Sequence, residues 1–132
     1  MFKGLDHVAI LVANTEEALK VYRDRLGLPV LLSEVVNAGA IRLTHLDMGN
    51  THLQLVEPLA PSHPLYAHLL QHGGGLHHLC FAVEDVDEAI TAVTDAGIEM
   101  AQLQPHQGTQ GKRAAFLAKS STDGVSFEIT GR

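Results

Sequence analysis

Two histidines, His7 and His78, stand at the same position in two copies of one short sequence pattern. Residues 5–10 (LDHVAI) return as residues 76–81 (LHHLCF), shifted by 71 positions. Farther along, each copy closes with a strand-like segment that carries a polar side chain, Gln54 in the first copy and Glu128 in the second. Two imidazoles, one carboxamide oxygen and one carboxylate form a mixed nitrogen and oxygen donor set, which suits a divalent metal ion.

The types of these four residues also indicate what such an ion would do. The set contains no thiolate, so it differs from the closed cysteine and histidine sites of structural zinc. It suits a six-coordinate Co, Ni, Mn or Zn ion that keeps two positions for water or substrate. Only Glu128 is anionic, so the centre keeps a net positive charge and can stabilise the oxygen of an enolate as a Lewis acid.

The repeat extends to the elements that must position these residues. In the first copy a strand at 6–12 precedes a helix, which Asn14 and Glu17 begin with capping-box spacing and Gly27 ends. Turn residues and alternating apolar residues then predict strands at 30–36, 40–48 and 52–57. The second copy predicts the same order, with strands at 76–83, 98–103, 114–118 and 125–129 and a helix at 86–96, which is capped by Asp85 with Glu88.

The fold class follows from that order. We expect one α+β domain of two βαβββ modules, 1–60 and 76–132, that form a curved, U-shaped mixed sheet with helices on the outside. The connecting segment, 61–75, predicts a short helix at 64–71 and then a hinge of three glycines. The Gly- and Gln-rich stretch 104–113 predicts a mobile loop near a site.

Strand alternation places the candidate ligands on faces that can converge at the centre of the sheet. Side chains two positions apart lie on one face of a strand, so His7 groups with Ala9 and His78 with Cys80. A strand holds a ligand more precisely than a loop does. Most of the remaining histidines, His106 among them, are expected to be ordinary surface or core residues.

Composition narrows the functional classes. The chain has 132 residues and a formal net charge of −6, with acids and bases interspersed, so electrostatics favour neither nucleic acid nor an anionic membrane surface. No apolar stretch approaches the roughly 20 residues that span a bilayer, and the first residues lack a signal-peptide pattern. A single cysteine, Cys80, excludes an intrachain disulfide and is typical of a reducing cytosol. We therefore expect a cytoplasmic protein.

Several segments resemble the vicinal oxygen chelate superfamily, the group of glyoxalases, bleomycin resistance proteins and dioxygenases that pair βαβββ modules around a divalent metal. They are residues 5–10 (LDHVAI), 49–58 (GNTHLQLVEP), 73–81 (GGGLHHLCF), and 111–113 (GKR) leading to 124–128 (GVSFE). The run GGGLHH and the sequence VEPL at 56–59 make the methylmalonyl-CoA epimerases the most similar group. The similarity covers essentially the whole chain.

The resemblance implies that one divalent ion binds to His7, Gln54, His78 and Glu128. An acyl-CoA thioester substrate would chelate this ion through a thioester carbonyl and a carboxylate oxygen. Proton transfer through a metal-stabilised enolate would then interconvert the (R)- and (S)-forms of methylmalonyl-CoA. The resemblance makes Glu128 one of the two acid/base groups that such a reaction needs.

The resemblance also implies further roles outside the ligand set. In the first module Arg42 stands where the family has a second glutamate, which makes Glu34 on the preceding strand the candidate for the other acid/base group. Lys112, Arg113 and Lys119 are the candidates for binding the phosphates of CoA. We expect a homodimer, because curved sheets leave edges that benefit from cover.

Three alternatives use the same fold. Lactoylglutathione lyase also needs four ligands of this kind, and its substrate carries glutathione in place of CoA. An extradiol dioxygenase binds iron through two histidines and one glutamate, and Gln54 argues against it because that site leaves the fourth position open. A resistance protein would bind a drug without any metal, so the presence of metal in the purified protein separates it from the others.

Overall fold

The computed structural model describes all 132 residues, and its elements follow the order β-α-β-β-β twice with one helix between the copies. The strands are β1 (Phe2–Leu11), β2 (Val30–Val36), β3 (Ile41–Asp47), β4 (His52–Pro58), β5 (Gly75–Val83), β6 (His106–Gln107), β7 (Arg113–Phe116) and β8 (Phe127–Gly131). The α-helices are α1 (Thr15–Leu19), α2 (Pro64–His72) and α3 (Val86–Asp95). The chain divides into a continuous unit, Val8–His77, and a discontinuous unit, Met1–His7 with His78–Arg132.

The predicted α+β class with a mixed sheet is confirmed. Strands β5 and β8 pair in parallel, whereas the pairs β2/β3, β3/β4, β6/β7 and β7/β8 are antiparallel. None of the helices combines the length and the apolar character needed to cross a membrane. The module boundaries expected from the sequence, 1–60 and 76–132, stay a prediction.

The continuous unit buries apolar residues on both faces of its strands, which are hydrogen-bonded in the order β2-β3-β4-β1. One cluster comprises Ala9, Leu11, Val36, Ile41, Leu43 and Val56, with Leu65 and Leu69 of α2 packed against it. The other comprises Val12, Leu19, Leu46, Leu53 and Leu55, with Val8, Ile10, Ala18, Tyr22 and Leu28 packed against it. Successive residues of β1 thus serve opposite faces, because side chains alternate along a strand.

The first helix begins as predicted and then departs from the prediction. The Asn14 side chain accepts the N–H of Glu17 at 3.0 Å, which caps α1. From Lys20 to Arg25 the chain widens into π-helical turns, and the N–H of Leu26 bonds to the carbonyl of Val21. The wider turn shifts later residues by about 100° around the axis. Leu26, which follows these turns, is 62% exposed.

The discontinuous unit has β8 between two partners, in the order β1-β5-β8-β7-β6. Glu128 on β8 lies in register with Cys80 on β5 and with Phe116 on β7. Helix α3 is capped by Asp85, whose carboxylate accepts the N–H of Glu88 at 3.0 Å, as the capping-box spacing predicts. The apolar cluster that α3 forms with strands β5, β7 and β8 comprises Val83, Val86, Ala89, Ala115 and Ile129.

Two expectations for the second copy need correction. The strand predicted at 98–103 is absent, and only Met100 forms an isolated bridge, to Leu117. The stretch 104–113, predicted as a loop, contains the short strand β6 and a 3-10 turn at Thr109–Gly111. A two-residue strand is too short to leave a periodic signal in the sequence, and its pairing with β7 is a tertiary effect.

Candidate metal centre

Three of the predicted ligands meet in the discontinuous unit. His7 on β1, His78 on β5 and Glu128 on β8 are buried, and their ligand atoms all lie within 4.8 Å of one another. Oε1 of Glu128 lies 3.1 Å from Nε2 of His78 and 3.5 Å from Nε2 of His7. The two imidazole rings stand edge to face, with 5.5 Å between their centroids. Two nitrogen atoms and one carboxylate oxygen thus converge on one point.

Asp6 holds the ring of His7 in this orientation. Its Oδ2 lies 2.7 Å from Nδ1 of His7, and Nζ of Lys112 lies 3.7 Å from its other oxygen. Because a carboxylate can only accept, Nδ1 is the donor. A metal-binding histidine commonly donates its second ring nitrogen to a carboxylate in this way, which orients the ligating nitrogen.

His106 contacts the other oxygen of Glu128, and nothing in the sequence singled it out. Its Nε2 lies 2.9 Å from Oε2 of Glu128, and its Nδ1 lies 3.2 Å from Oε1 of Gln102. The ring stacks on Phe116 at a centroid distance of 5.6 Å. His106 has no counterpart in the first copy, so the repeat could not reveal it. The one available signal was a ligand-type residue in a Gly- and Gln-rich stretch.

Contacts within this cluster outweigh the effect of burial on its charged groups. Burial opposes ionisation of Glu128, but the close imidazoles of His106, His7 and His78 hold its pKa well below the usual range. Burial also opposes protonation of His7, but Asp6 and Glu128 raise the pKa of this histidine above its ordinary value. The buried carboxylate is therefore ionised at neutral pH, and the surroundings of His7 favour positive charge.

The donor set fits a divalent ion that prefers nitrogen and oxygen ligands. Cys80 is also buried beside Asp6 and His7. Burial, with further contributions from Glu128 and Asp6, strongly raises the pKa of its thiol. A protonated thiol is a poor ligand. The group of His7, His78 and Glu128 offers two imidazoles and one carboxylate, whereas Cys80 belongs to a separate group with Asp6 and His7.

Residues 6–116 match the sequence profile of the Glyoxalase/Bleomycin resistance protein/Dioxygenase superfamily. This chain belongs to that superfamily. It is 33% identical over 125 residues to the uncharacterized protein YqjC of Bacillus subtilis (strain 168), covering 95% of this chain and 89% of that protein. It is 30% identical over 131 residues to the ethylmalonyl-CoA/methylmalonyl-CoA epimerase of Cereibacter sphaeroides, covering 98% of each. Methylmalonyl-CoA epimerases thus stand among its relatives.

A solved structure at similar sequence distance has nearly the same fold. It is a methylmalonyl-CoA epimerase in complex with methylmalonyl-CoA and NH4+, which superimposes with a TM-score of 0.88 at 28% sequence identity. The match covers 99% of this chain and 95% of that one. The likeness therefore extends over the whole chain.

The fourth predicted ligand of this superfamily member, Gln54, lies on β4 in the continuous unit. It is buried, and its amide Nε2 lies 3.0 Å from Nε2 of His45. Nδ1 of His45 lies 2.9 Å from Nδ1 of His52. His45 thus contacts the amide nitrogen of Gln54, and the amide oxygen is the atom that would bind a metal ion. Its role as a ligand stays a prediction.

The candidate for the second acid/base group also lies in the continuous unit. Glu34 is a half-buried residue of β2, in register with Leu43 on β3. Arg42, for which the resemblance implied a glutamate in the family, donates from Nη1 to Oγ of Ser33 at 3.1 Å. The assignment of Glu34 stays a prediction.

The three candidate phosphate-binding cations have different surroundings. Nη1 of Arg113 lies 3.2 Å from both carboxylate oxygens of Asp87, and its Nη2 donates to the carbonyl of Arg132 at 2.9 Å. Lys112 faces Asp6, whereas Lys119 lies exposed at the start of a 3-10 turn. Of the three, Lys119 is the most accessible to a ligand in solution.

Proposed function

We propose that this protein is a metal-dependent epimerase that interconverts the (R)- and (S)-forms of methylmalonyl-CoA. The observation that carries the proposal is the buried convergence of His7, His78 and Glu128. End-to-end similarity to an ethylmalonyl-CoA/methylmalonyl-CoA epimerase supports the choice of reaction. Similarity to an epimerase solved with methylmalonyl-CoA supports the choice of substrate.

In this proposal His7, Gln54, His78 and Glu128 bind one Co, Ni, Mn or Zn ion. Such an ion would supply Lewis-acid stabilisation of the negative charge that develops on the thioester oxygen. The protein's own contribution is to hold two imidazoles and a carboxylate away from bulk water. The hydrogen bond between Asp6 and Nδ1 of His7 keeps the other nitrogen of that ring directed toward Oε1 of Glu128.

Epimerisation removes a proton from the carbon between the thioester carbonyl and the carboxylate, and a second group returns a proton to the opposite face. Two acid/base groups must therefore flank that carbon. Glu128 is ionised at neutral pH, as a proton acceptor must be. We assign it as one group and Glu34 as the other.

The CoA portion of the substrate carries phosphates, for which we propose Lys112, Arg113 and Lys119. Ammonium and guanidinium groups form charge-assisted hydrogen bonds with phosphate. We further propose that the protein forms a homodimer. We also propose that it works in the cytoplasm, in keeping with the acidic composition and the single buried cysteine.

Solvent deuterium exchange tests the reaction directly. The Co2+-loaded protein is incubated with (S)-methylmalonyl-CoA in D2O, and mass spectrometry follows deuterium at the carbon between the two carbonyl groups. We expect exchange together with formation of the (R)-form. Exchange should be lost in Glu128→Gln and kept in Glu99→Gln, which alters an exposed glutamate of the same unit.

A parallel assay follows the hemithioacetal of methylglyoxal and glutathione. Turnover of the hemithioacetal without any exchange into methylmalonyl-CoA would overturn the proposal in favour of a lactoylglutathione lyase. Exchange that persists undiminished in Glu128→Gln would remove that residue from the assigned pair.

A further inference from the structure

We propose that His106 positions the carboxylate of Glu128 so that only Oε1 faces the two histidine ligands. The inference rests on the proposed metal site and adds a residue that lies outside the predicted ligand set. The two oxygens of Glu128 have separate partners. Oε1 lies 3.1 Å from His78 and 3.5 Å from His7, whereas Oε2 lies 2.9 Å from Nε2 of His106.

The ring of His106 is itself held on two sides. It stacks on the ring of Phe116, with an interplanar angle of 19°, and Phe116 lies beside Glu128 in the β7/β8 register. The same phenyl ring and the ring of His78 stand edge to face, at a centroid distance of 5.0 Å. One aromatic side chain therefore packs against both a proposed ligand and the residue that orients another.

Gln102 determines which way the imidazole of His106 turns. Its Oε1 accepts the backbone N–H of Phe116 at 3.1 Å, and its Nε2 donates to the carbonyl of Gln104 at 2.7 Å. The amide orientation is thus determined, and Nδ1 of His106 must donate to Oε1. An ionised carboxylate can only accept, so Nε2 of His106 also donates, to Oε2 of Glu128 at 2.9 Å.

This arrangement prevents the carboxylate from turning both oxygens toward the cluster. An unconstrained carboxylate would lose rotational freedom when it bound an ion, whereas Glu128 has one oxygen already held. Outer-shell partners of metal ligands typically contribute about 10- to 100-fold in metal affinity. His106 is also 32% exposed, so the outer-shell contact reaches the surface of the unit.

The test compares His106→Leu, His106→Gln and His106→Asn with the unchanged protein. Calorimetry measures Co2+ affinity without substrate, and visible absorption reports the coordination of bound Co2+. The amide nitrogen of Gln reaches the position of Nε2, whereas that of Asn reaches only the position of Nδ1. We expect His106→Leu and His106→Asn to weaken Co2+ binding by about 10- to 100-fold, and His106→Gln to restore most of it with the original spectrum.

His72→Leu is the matched control, because it removes an exposed histidine from α2 in the continuous unit. Thermal unfolding of the metal-free proteins reports whether each variant folds, and the Gln and Asn pair decides the question if the Leu variant does not. Equal affinities and spectra in all His106 variants would overturn the inference and leave the metal site standing. Absence of Co2+ binding by the unchanged protein would overturn the metal site and this inference together.

Discussion

Asp6 and His7 are adjacent in β1, yet their side chains are hydrogen-bonded, with Oδ2 of Asp6 2.7 Å from Nδ1 of His7. Neighbouring side chains on a strand normally point to opposite faces. The contact therefore requires the carboxylate of Asp6 to turn back toward the ring. Asp6 therefore contacts a proposed metal ligand and orients its ring.

Replacement of Asp6 should weaken metal binding, and more so when the new side chain cannot accept a hydrogen bond from Nδ1 of His7. We expect Asp6→Ala to lower Co2+ affinity by about 10- to 100-fold, and Asp6→Asn to lower it less, because its amide oxygen still accepts from Nδ1. Calorimetry on the substrate-free protein measures both. Asp24→Ala, at an exposed aspartate, is the control. Unchanged affinity in Asp6→Ala would contradict an orienting role.

Gln54 is the fourth residue of the proposed ligand set. Gln54→Leu should weaken Co2+ binding by at least the roughly 10- to 100-fold that loss of an outer-shell partner costs. It should also lower the free energy of unfolding by about 1–3 kcal/mol, because Nε2 of buried His45 loses its contact with the amide of Gln54. Gln71→Leu, at an exposed glutamine of α2, should change neither quantity. A loss of stability without a loss of affinity would assign Gln54 a structural role only.

Metal binding should stabilise the folded protein. An ion that binds only the folded state adds about 2.7 kcal/mol at a concentration 100 times its Kd. Urea unfolding with and without Co2+ measures this difference, and a chelator should reverse it and abolish epimerisation. The stabilisation should vanish in Glu128→Gln. An unfolding midpoint that does not respond to Co2+ would argue against the site.

Lys119 tests the proposed contact with CoA. Lys119→Ala should raise KM for methylmalonyl-CoA and leave kcat nearly unchanged, because an exposed cation binds substrate and transition state equally. The effect should shrink as ionic strength rises. Lys20→Ala, at an exposed lysine of the continuous unit, is the matched control. Steady-state kinetics of both variants at two salt concentrations measure the effect, and an unchanged KM in Lys119→Ala would contradict the proposed contact.

Gly131 on β8 has no room for a side chain. A Cβ there would collide with the backbone carbonyl of Val83 on β5. We expect Gly131→Ala to lower the free energy of unfolding by about 1–3 kcal/mol. At Gly108 the nearest atom to an added Cβ is 3.6 Å away and φ is −104°, so Gly108→Ala should be neutral or stabilising by up to about 1 kcal/mol. Urea unfolding of both variants checks the contrast.

The parts of the fold that are encoded locally could be predicted. The caps at Asn14 and Asp85, the order of elements and most strand bounds depend on nearby residues and short-range periodicity. The π-helical turns before Leu26 and the missing strand at 98–103 could not, because the same residues satisfy a regular helix or strand pattern equally well. Packing against the rest of each unit decided between those alternatives.

The candidate site also has a part that could be predicted from the sequence and a part that could not. The sequence by itself determined that His7 and His78 occupy equivalent places in a duplicated unit, because repetition is visible in one dimension. Only the tertiary structure decided that both face Oε1 of Glu128 and that His106 meets Oε2. A hydrogen bond between residues 22 positions apart depends on how β6 and β8 flank β7. No spacing rule in the chain encodes that contact.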